Sequence, residues 1–247
     1  MSVPRPNPLP PPRSAPMEGP VHVYLVGAHA TGKTTLARWI RDSFGLPMIS
    51  EVARGVLAEM EERLDSLRTD VELVSHYQSQ VFERQIEAEQ SQPGSFVSDR
   101  AFCNLAYAAH HSNLMNEVAT DPRFAEYMGQ VRQGIVFFLR PHRELLQEDG
   151  VRAGVDWEEV LRIDGMVKMM LEMFAVPYIP ISCLSMQERT RTAERVLDLA
   201  GLKPTQPRKR YLQTIAPVPA RGRTLSETMA GASYATPSAG GSETGTP

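Results

Sequence analysis

Nine consecutive residues, Gly27-Ala28-His29-Ala30-Thr31-Gly32-Lys33-Thr34-Thr35, have the types and spacing to hold phosphate. They satisfy the pattern G-x-x-x-x-G-K-[ST] without a mismatch. They follow the apolar run Val21-His22-Val23-Tyr24-Leu25-Val26 and precede Leu36-Ala37-Arg38-Trp39-Ile40, the strand–loop–helix context that the pattern requires. Gly27 and Gly32 let the backbone curl so that successive N–H groups point inward at phosphate oxygens. The positive end of the following helix adds its partial charge. Lys33 reaches the β- and γ-phosphates, and the Thr34 hydroxyl is placed to ligate magnesium. Residues Gly27, Ala28, His29, Ala30, Thr31, Gly32, Lys33, Thr34 and Thr35 are therefore nucleotide-binding candidates, with ATP or GTP as donor and Mg2+ as cofactor.

Other polar residues stand directly after apolar runs. Asp99 ends Phe96-Val97-Ser98, the placement of a second magnesium-orienting acid, although helix N-capping is an alternative role. Glu51 stands just beyond the second apolar run, Leu46-Pro47-Met48-Ile49, and is positioned to take a proton from an acceptor hydroxyl. Arg54 lies three residues on, either paired with Glu51 or holding an anionic group of the acceptor. Arg100, Arg140, Arg143 and Arg152 compete to stabilise charge on a transferring phosphoryl group. Arg152 is preferred, because Asp149-Gly150-Val151-Arg152 is a glycine-bearing loop able to close and exclude water. Tyr77, Gln78, Phe82 and Tyr107 either line an acceptor pocket or pack the core. His110-His111 lack neighbours at metal spacing, and Met166, Met169, Met170 and Met173 read as core filling.

The elements that must carry these residues alternate. Helix is expected over about 33–44, strand over 46–49, and a long helix from a Thr69-x-x-Glu72 capping box through Ser91. Strand 95–98, helical segments near 102–111 and 122–132, and strand 134–139 follow, with 144–154 expected as a mobile polar loop. Helix 157–174, strand 177–181 and an amphipathic helix 186–199 complete the series. Five short strands alternating with helices predict an α/β fold, a five-stranded parallel sheet in a three-layer α/β/α arrangement. Ligands of such sheets bind beyond the carboxyl ends of the strands.

Proline recurs through residues 1–20, and the chain from 203 to 247 is rich in Pro, Ser, Thr and Gly. Both are expected to be disordered, flanking one domain over 21–202. A net charge of −3 does not suggest nucleic-acid binding, and Arg208-Lys209-Arg210 is a short basic start to the tail. Cys103 and Cys183 read as reduced thiols. No run has the ~18 apolar residues of a membrane span, so cytoplasm is the expected location.

Taken in order, Leu25–Thr35, Ser50-Glu51-Val52-Ala53-Arg54, Phe96–Arg100 and Asp149–Arg152 resemble the NadR-like P-loop domains, over about residues 21–202. The family includes the NadR kinase domain, which phosphorylates nicotinamide riboside with ATP. The resemblance implies a P-loop NTPase fold of nucleoside- or nucleotide-kinase type. It places Glu51 and Arg54 at the acceptor, Asp99 at the magnesium and Arg152 on a closing lid. The adenylyltransferase domain that NadR enzymes carry has no counterpart here, and related eukaryotic domains bind GTP and phosphoinositides.

The expected activity is transfer of a γ-phosphate to a nucleoside, nucleotide or ribosyl-nicotinamide-like acceptor. Lys33, Glu51, Asp99 and Arg152 are its catalytic residues, Glu51, Arg54 and Arg100 its acceptor site, and Thr34 and Asp99 its metal ligands. The alternative is a nucleotide-dependent switch that docks a protein or phosphoinositide.

Overall fold

In the computed structural model, residues 19–50, 56, 71–106, 121–148 and 156–205 are described. Five apolar runs form the strands β1 (His22–Val26), β2 (Met48–Ile49), β3 (Phe96–Asp99), β4 (Ile135–Leu139) and β5 (Ile179–Ile181). All pair in parallel, in the order β2-β3-β1-β4-β5. Every residue of β3 and β4 is buried because both sheet faces are covered, and β4 is accordingly apolar throughout.

The described helices are α1 (Lys33–Phe44), α2 (Val71–Gln90), α3 (Pro122–Gln133), α4 (Arg143–Glu148), α5 (Trp157–Met173) and α6 (Met186–Leu199). Handedness sorts them into layers. The β1-to-β2 connection runs toward the β2 edge, whereas the next three connections run the other way. Right-handed crossovers therefore put α1 on one face and α2, α3 and α5 on the other. Leu36, Ala37 and Ile40 of α1 accordingly pack on Val23, Leu25, Val97 and Phe137, and α6 joins them through Ala193 and Leu197. Phe82, Phe124, Met128, Val167 and Met170 pack on Tyr24, Val26, Val136 and Phe138 of the opposite face. Because the chain leaves β1 toward one layer and leaves β3 and β4 toward the other, a crevice opens at the carboxyl end of β1.

Two expectations are corrected. Residues 143–148 are helical, not loop: Glu144 sits favourably in the first turn, and Leu146 packs against the core. The methionine run is split. Met170 is buried and Met166 packs on the core, but Met169 and Met173 share the exposed face of α5 with Leu161. The four fall on one stripe at i, i+3, i+4 and i+7, but the buried face of α5 is centred on Val160, Ile163, Val167, Met170 and Leu171, so only the edge of the methionine stripe meets the core. The Thr69 capping box and residues 107–111 lie outside the described residues. Past α6, Thr205 N–H donates to Ser43 O at 2.8 Å, so the described chain folds back on the end of α1. Among the described residues, no helix is long and apolar enough to cross a membrane.

Candidate functional site

The loop from Gly27 to Gly32 occupies the crevice at the end of β1. Gly27 has φ 145°, and a Cβ there would lie 2.4 Å from Leu139 O, so the close approach of β4 excludes any side chain. Its N–H donates to Cys103 Sγ at 3.2 Å. Burial pushes the Cys103 thiol up, partly opposed by nearby Lys33, so the sulfur serves as a neutral acceptor. Within the loop Thr31 is fully buried, and its hydroxyl donates to Ala28 O at 3.1 Å. Gly32, at φ 83°, is the N-cap of α1; no side chain caps it, and the first turn holds no acid. The helix thus presents its N-terminal N–H groups and partial positive charge to the loop.

Lys33 Nζ donates to Ala28 O at 2.5 Å and to Thr31 Oγ1 at 3.3 Å, which holds the ammonium over the loop. From the first turn of α1, Thr34 Oγ1 donates to Asp99 Oδ2 at 2.6 Å. Asp99, at the end of β3, is buried, and its Oδ1 has no hydrogen-bond partner among the described residues. A buried carboxylate oxygen without a donor, beside a hydroxyl, is a hard-oxygen pair suited to magnesium. Among the described residues no group of three or more His, Cys, Asp or Glu could hold a metal ion.

Directly after Asp99 the chain turns through two positive-φ residues, Arg100 (118°) and Ala101 (50°), while Arg100 N–H still donates to Leu25 O. Strained backbone of this kind is tolerated where surrounding contacts impose it. Beneath the turn, Ser98 faces the opposite layer, where a buried cluster holds it. Gln85 Nε2 (2.7 Å), Ser98 Oγ (2.9 Å) and Tyr127 Oη (3.0 Å) all donate to Glu89 Oε1. The Tyr24 hydroxyl also faces this carboxylate. Burial pushes Glu89 up against the opposing effect of these donors.

The other strand-end arginines are engaged in structure. Arg140 Nη2 contacts Asp164 Oδ2 at 2.7 Å, and its guanidinium lies 4.9 Å from the Phe138 ring centre. Arg143 stacks over Trp157 at 5.4 Å. Both tie the end of β4 to α5. Phe82 meets Phe124 and Tyr127 edge-on, which makes it a core residue, whereas Tyr77 and Gln78 are buried farther along α2. Glu51, Arg54, Tyr107, Asp149 and Arg152 lie outside the described residues.

The structure adds a neighbour that motif reading missed. Arg189 of α6 is 2% exposed; its Nη1 donates to Thr31 O at 2.5 Å and its Nε to Cys183 O at 2.8 Å. The signal was present in the sequence. Arg189, Ala193 and Leu197 form the buried i, i+4, i+8 stripe of α6, and a cation on such a stripe needs a partner.

A family model described as an AAA domain matches residues 22–189. Among solved structures, NadR in complex with NR is similar at 18% identity and TM-score 0.61, over 76% of this chain and 54% of that one. NadR in complex with NAD and AMP-PNP gives 18% and 0.56, over 76% and 52%. Deoxyadenosine kinase from M. mycoides with bound dATP gives 12% and 0.52, over 72% and 99%. The chain thus spans about half the length of the NadR structures it matches. A search of curated proteins found no match. The sheet with its two helix layers and the loop at the end of β1 are those of the P-loop fold shared with these structures, and the chain belongs to the AAA domain family.

Proposed function

We propose that this domain is a magnesium-dependent phosphotransferase that moves the γ-phosphate of ATP or GTP to a small acceptor of the nucleoside, nucleotide or ribosyl-nicotinamide class. The observation that carries the reading is the Thr34–Asp99 contact at 2.6 Å, with the second Asp99 oxygen buried and unpartnered beside the phosphate loop and Lys33. Thr34 and Asp99 would hold magnesium, directly or through water, and the ion would neutralise charge on the β- and γ-phosphates. The loop N–H groups and Lys33 orient the triphosphate, with Lys33 exchanging its loop acceptors for the more strongly bound phosphate oxygens. The acceptor oxygen attacks the γ-phosphorus as its proton passes to Glu51. The new O–P bond forms as the bridging β–γ bond breaks, and the electron pair leaves on the nucleoside diphosphate. Arg54 and Arg100 are assigned to the acceptor and Arg152 to a lid that excludes water.

A second observation favours a small polar acceptor over a docking partner. Gln78 Oε1 and Asn104 Oδ1 are buried without hydrogen-bond partners among the described residues. The two residues are neighbours, since Asn104 Nδ2 donates to the backbone O of Gln78 at 3.0 Å. Polar atoms of this kind fix the orientation of a small ligand.

The test is a panel of nucleoside, nucleotide and ribosyl acceptors with γ-labelled ATP or GTP, run on wild type, Lys33→Ala and Glu51→Gln. Transfer to at least one acceptor is expected, lowered about 100-fold or more by either substitution. No labelled product, with nucleotide binding intact and affinity for a protein or phosphoinositide altered by it, would establish the switch reading instead.

A further inference from the structure

Arg189 is a buried cation with no carboxylate paired to it among the described residues, and its Nη2 has no hydrogen-bond partner there. Holding a guanidinium in that state is unfavourable unless fixed dipoles or an anion compensate. The two carbonyls that it does meet belong to two different loops at the carboxyl edge of the sheet. Thr31 O is part of the phosphate loop, and Cys183 O is part of the segment between β5 and α6. The guanidinium also lies against Gly32: a Cβ there would stand 2.7 Å from Nη1.

One consequence follows from peptide geometry. Thr31 C=O and Gly32 N–H share one planar trans peptide and point in opposite directions. A grip on the carbonyl from the α6 side turns the N–H away from α6.

We propose that Arg189 is a positioning residue of the phosphate site: it fixes the Thr31–Gly32 peptide so that the Gly32 N–H faces the bound phosphates, and it adds a buried positive charge behind them. It acts through the loop and does not touch the nucleotide. The role explains why the second glycine of the motif admits no side chain at this place, since its Cα packs on the guanidinium as well as adopting a positive φ. It also explains why a charged residue occupies the buried stripe of an otherwise ordinary amphipathic helix. The inference rests on the nucleotide-binding reading above and adds to it a residue far away in sequence.

The test is titration of the full-length chain with Mg-ATP, Mg-ADP and AMP by calorimetry, comparing wild type with Arg189→Met, Arg189→Lys and Lys33→Ala. Far-UV circular dichroism and thermal melting establish that each variant is folded. Arg189→Met is expected to weaken ATP and ADP about tenfold or more while changing AMP far less, because the peptide at issue serves the β-phosphate end of the loop. Arg189→Lys keeps the charge but not the two-carbonyl grip, and is expected to fall between. A folded Arg189→Met that binds ATP like wild type overturns the proposal, as does an equal loss for ATP and AMP. If Arg189→Met does not fold, Arg189→Lys decides: wild-type affinity for ATP overturns the proposal, and a loss larger for ATP than for AMP supports it. Lys33→Ala separates the two readings, because unchanged ATP affinity in that variant would sink the nucleotide site itself.

Discussion

The smallest working unit of the site is the pair Thr34 and Asp99. The hydroxyl donates to one carboxylate oxygen, the other is buried and unpaired among the described residues, and on the proposed reading the pair would hold a cation. Thr34→Val keeps shape and branching but removes the hydroxyl. Its expected effect is a loss of about tenfold, ~1.4 kcal/mol, in ATP affinity when magnesium is present. Affinity measured in EDTA should be nearly unchanged, because Lys33 and the loop N–H groups remain. Equal losses with and without magnesium would show that Thr34 acts only as a first-turn helix residue.

At the scale of elements, the junction of β4 with α5 holds the layer opposite α1 against the sheet. Arg140 and Asp164 form its polar part, with the arginine partly in water and the carboxylate buried. Burial pushes Asp164 up, and the Arg140 charge opposes this. The two members are therefore unequal. Arg140→Ala strands a buried carboxylate and should cost about 3 kcal/mol or more, whereas Asp164→Asn leaves an arginine that can reach solvent and should cost about 1 kcal/mol or less. Urea unfolding of both variants checks the asymmetry, and equal costs would mean that the pair is not the contact that matters. The short helix α4 belongs to the same junction. Its sequence, Arg143-Glu144-Leu145-Leu146-Gln147-Glu148, looks like polar loop because only a single turn and a half carries the apolar pair. Without a third apolar residue one turn on, no period can be read.

For the molecule as a whole, the buried cluster of Glu89 with Gln85, Ser98, Tyr127 and Tyr24 makes stability depend on pH. The titratable groups facing Glu89 are the two tyrosines, both pushed up by burial and by the carboxylate itself, so they stay neutral over the ordinary range. The folded pKa of Glu89 is raised above its unfolded value. Its contribution is therefore fully present below the unfolded value of about 4.3 and is lost as pH rises through the folded value. Each unit of elevation corresponds to ~1.4 kcal/mol. Glu89→Gln, neutral at every pH, should gain stability relative to wild type between pH 5 and pH 8, measured by urea midpoints. A constant difference across that window would show that Glu89 does not titrate there. Because Ser98, the residue before Asp99, belongs to this cluster, the same network steadies the end of β3.

Some of this architecture is written locally in the chain. Five apolar runs, the loop from Gly27 to Thr35 and the acid that ends β3 are each legible because strand, turn and helix signals lie within a dozen residues of one another. Right-handed crossovers then limit the topology to few arrangements. Lys33, Thr34 and Asp99 accordingly stand together at the carboxyl ends of β1 and β3. Other features depend on contacts across 65 residues or more, which no local pattern encodes. The approach of Asp99 to Thr34, the sulfur of Cys103 under Gly27, and the reach of Arg189 from the last helix to Thr31 are of this kind. Arg140 and Arg143 could not be told from catalytic arginines until Asp164 and Trp157 were seen beside them. Local chemistry names the residues able to hold a phosphate. Only the packing of β1 between β3 and β4, with α1 and α6 on one face, decides which of them meet.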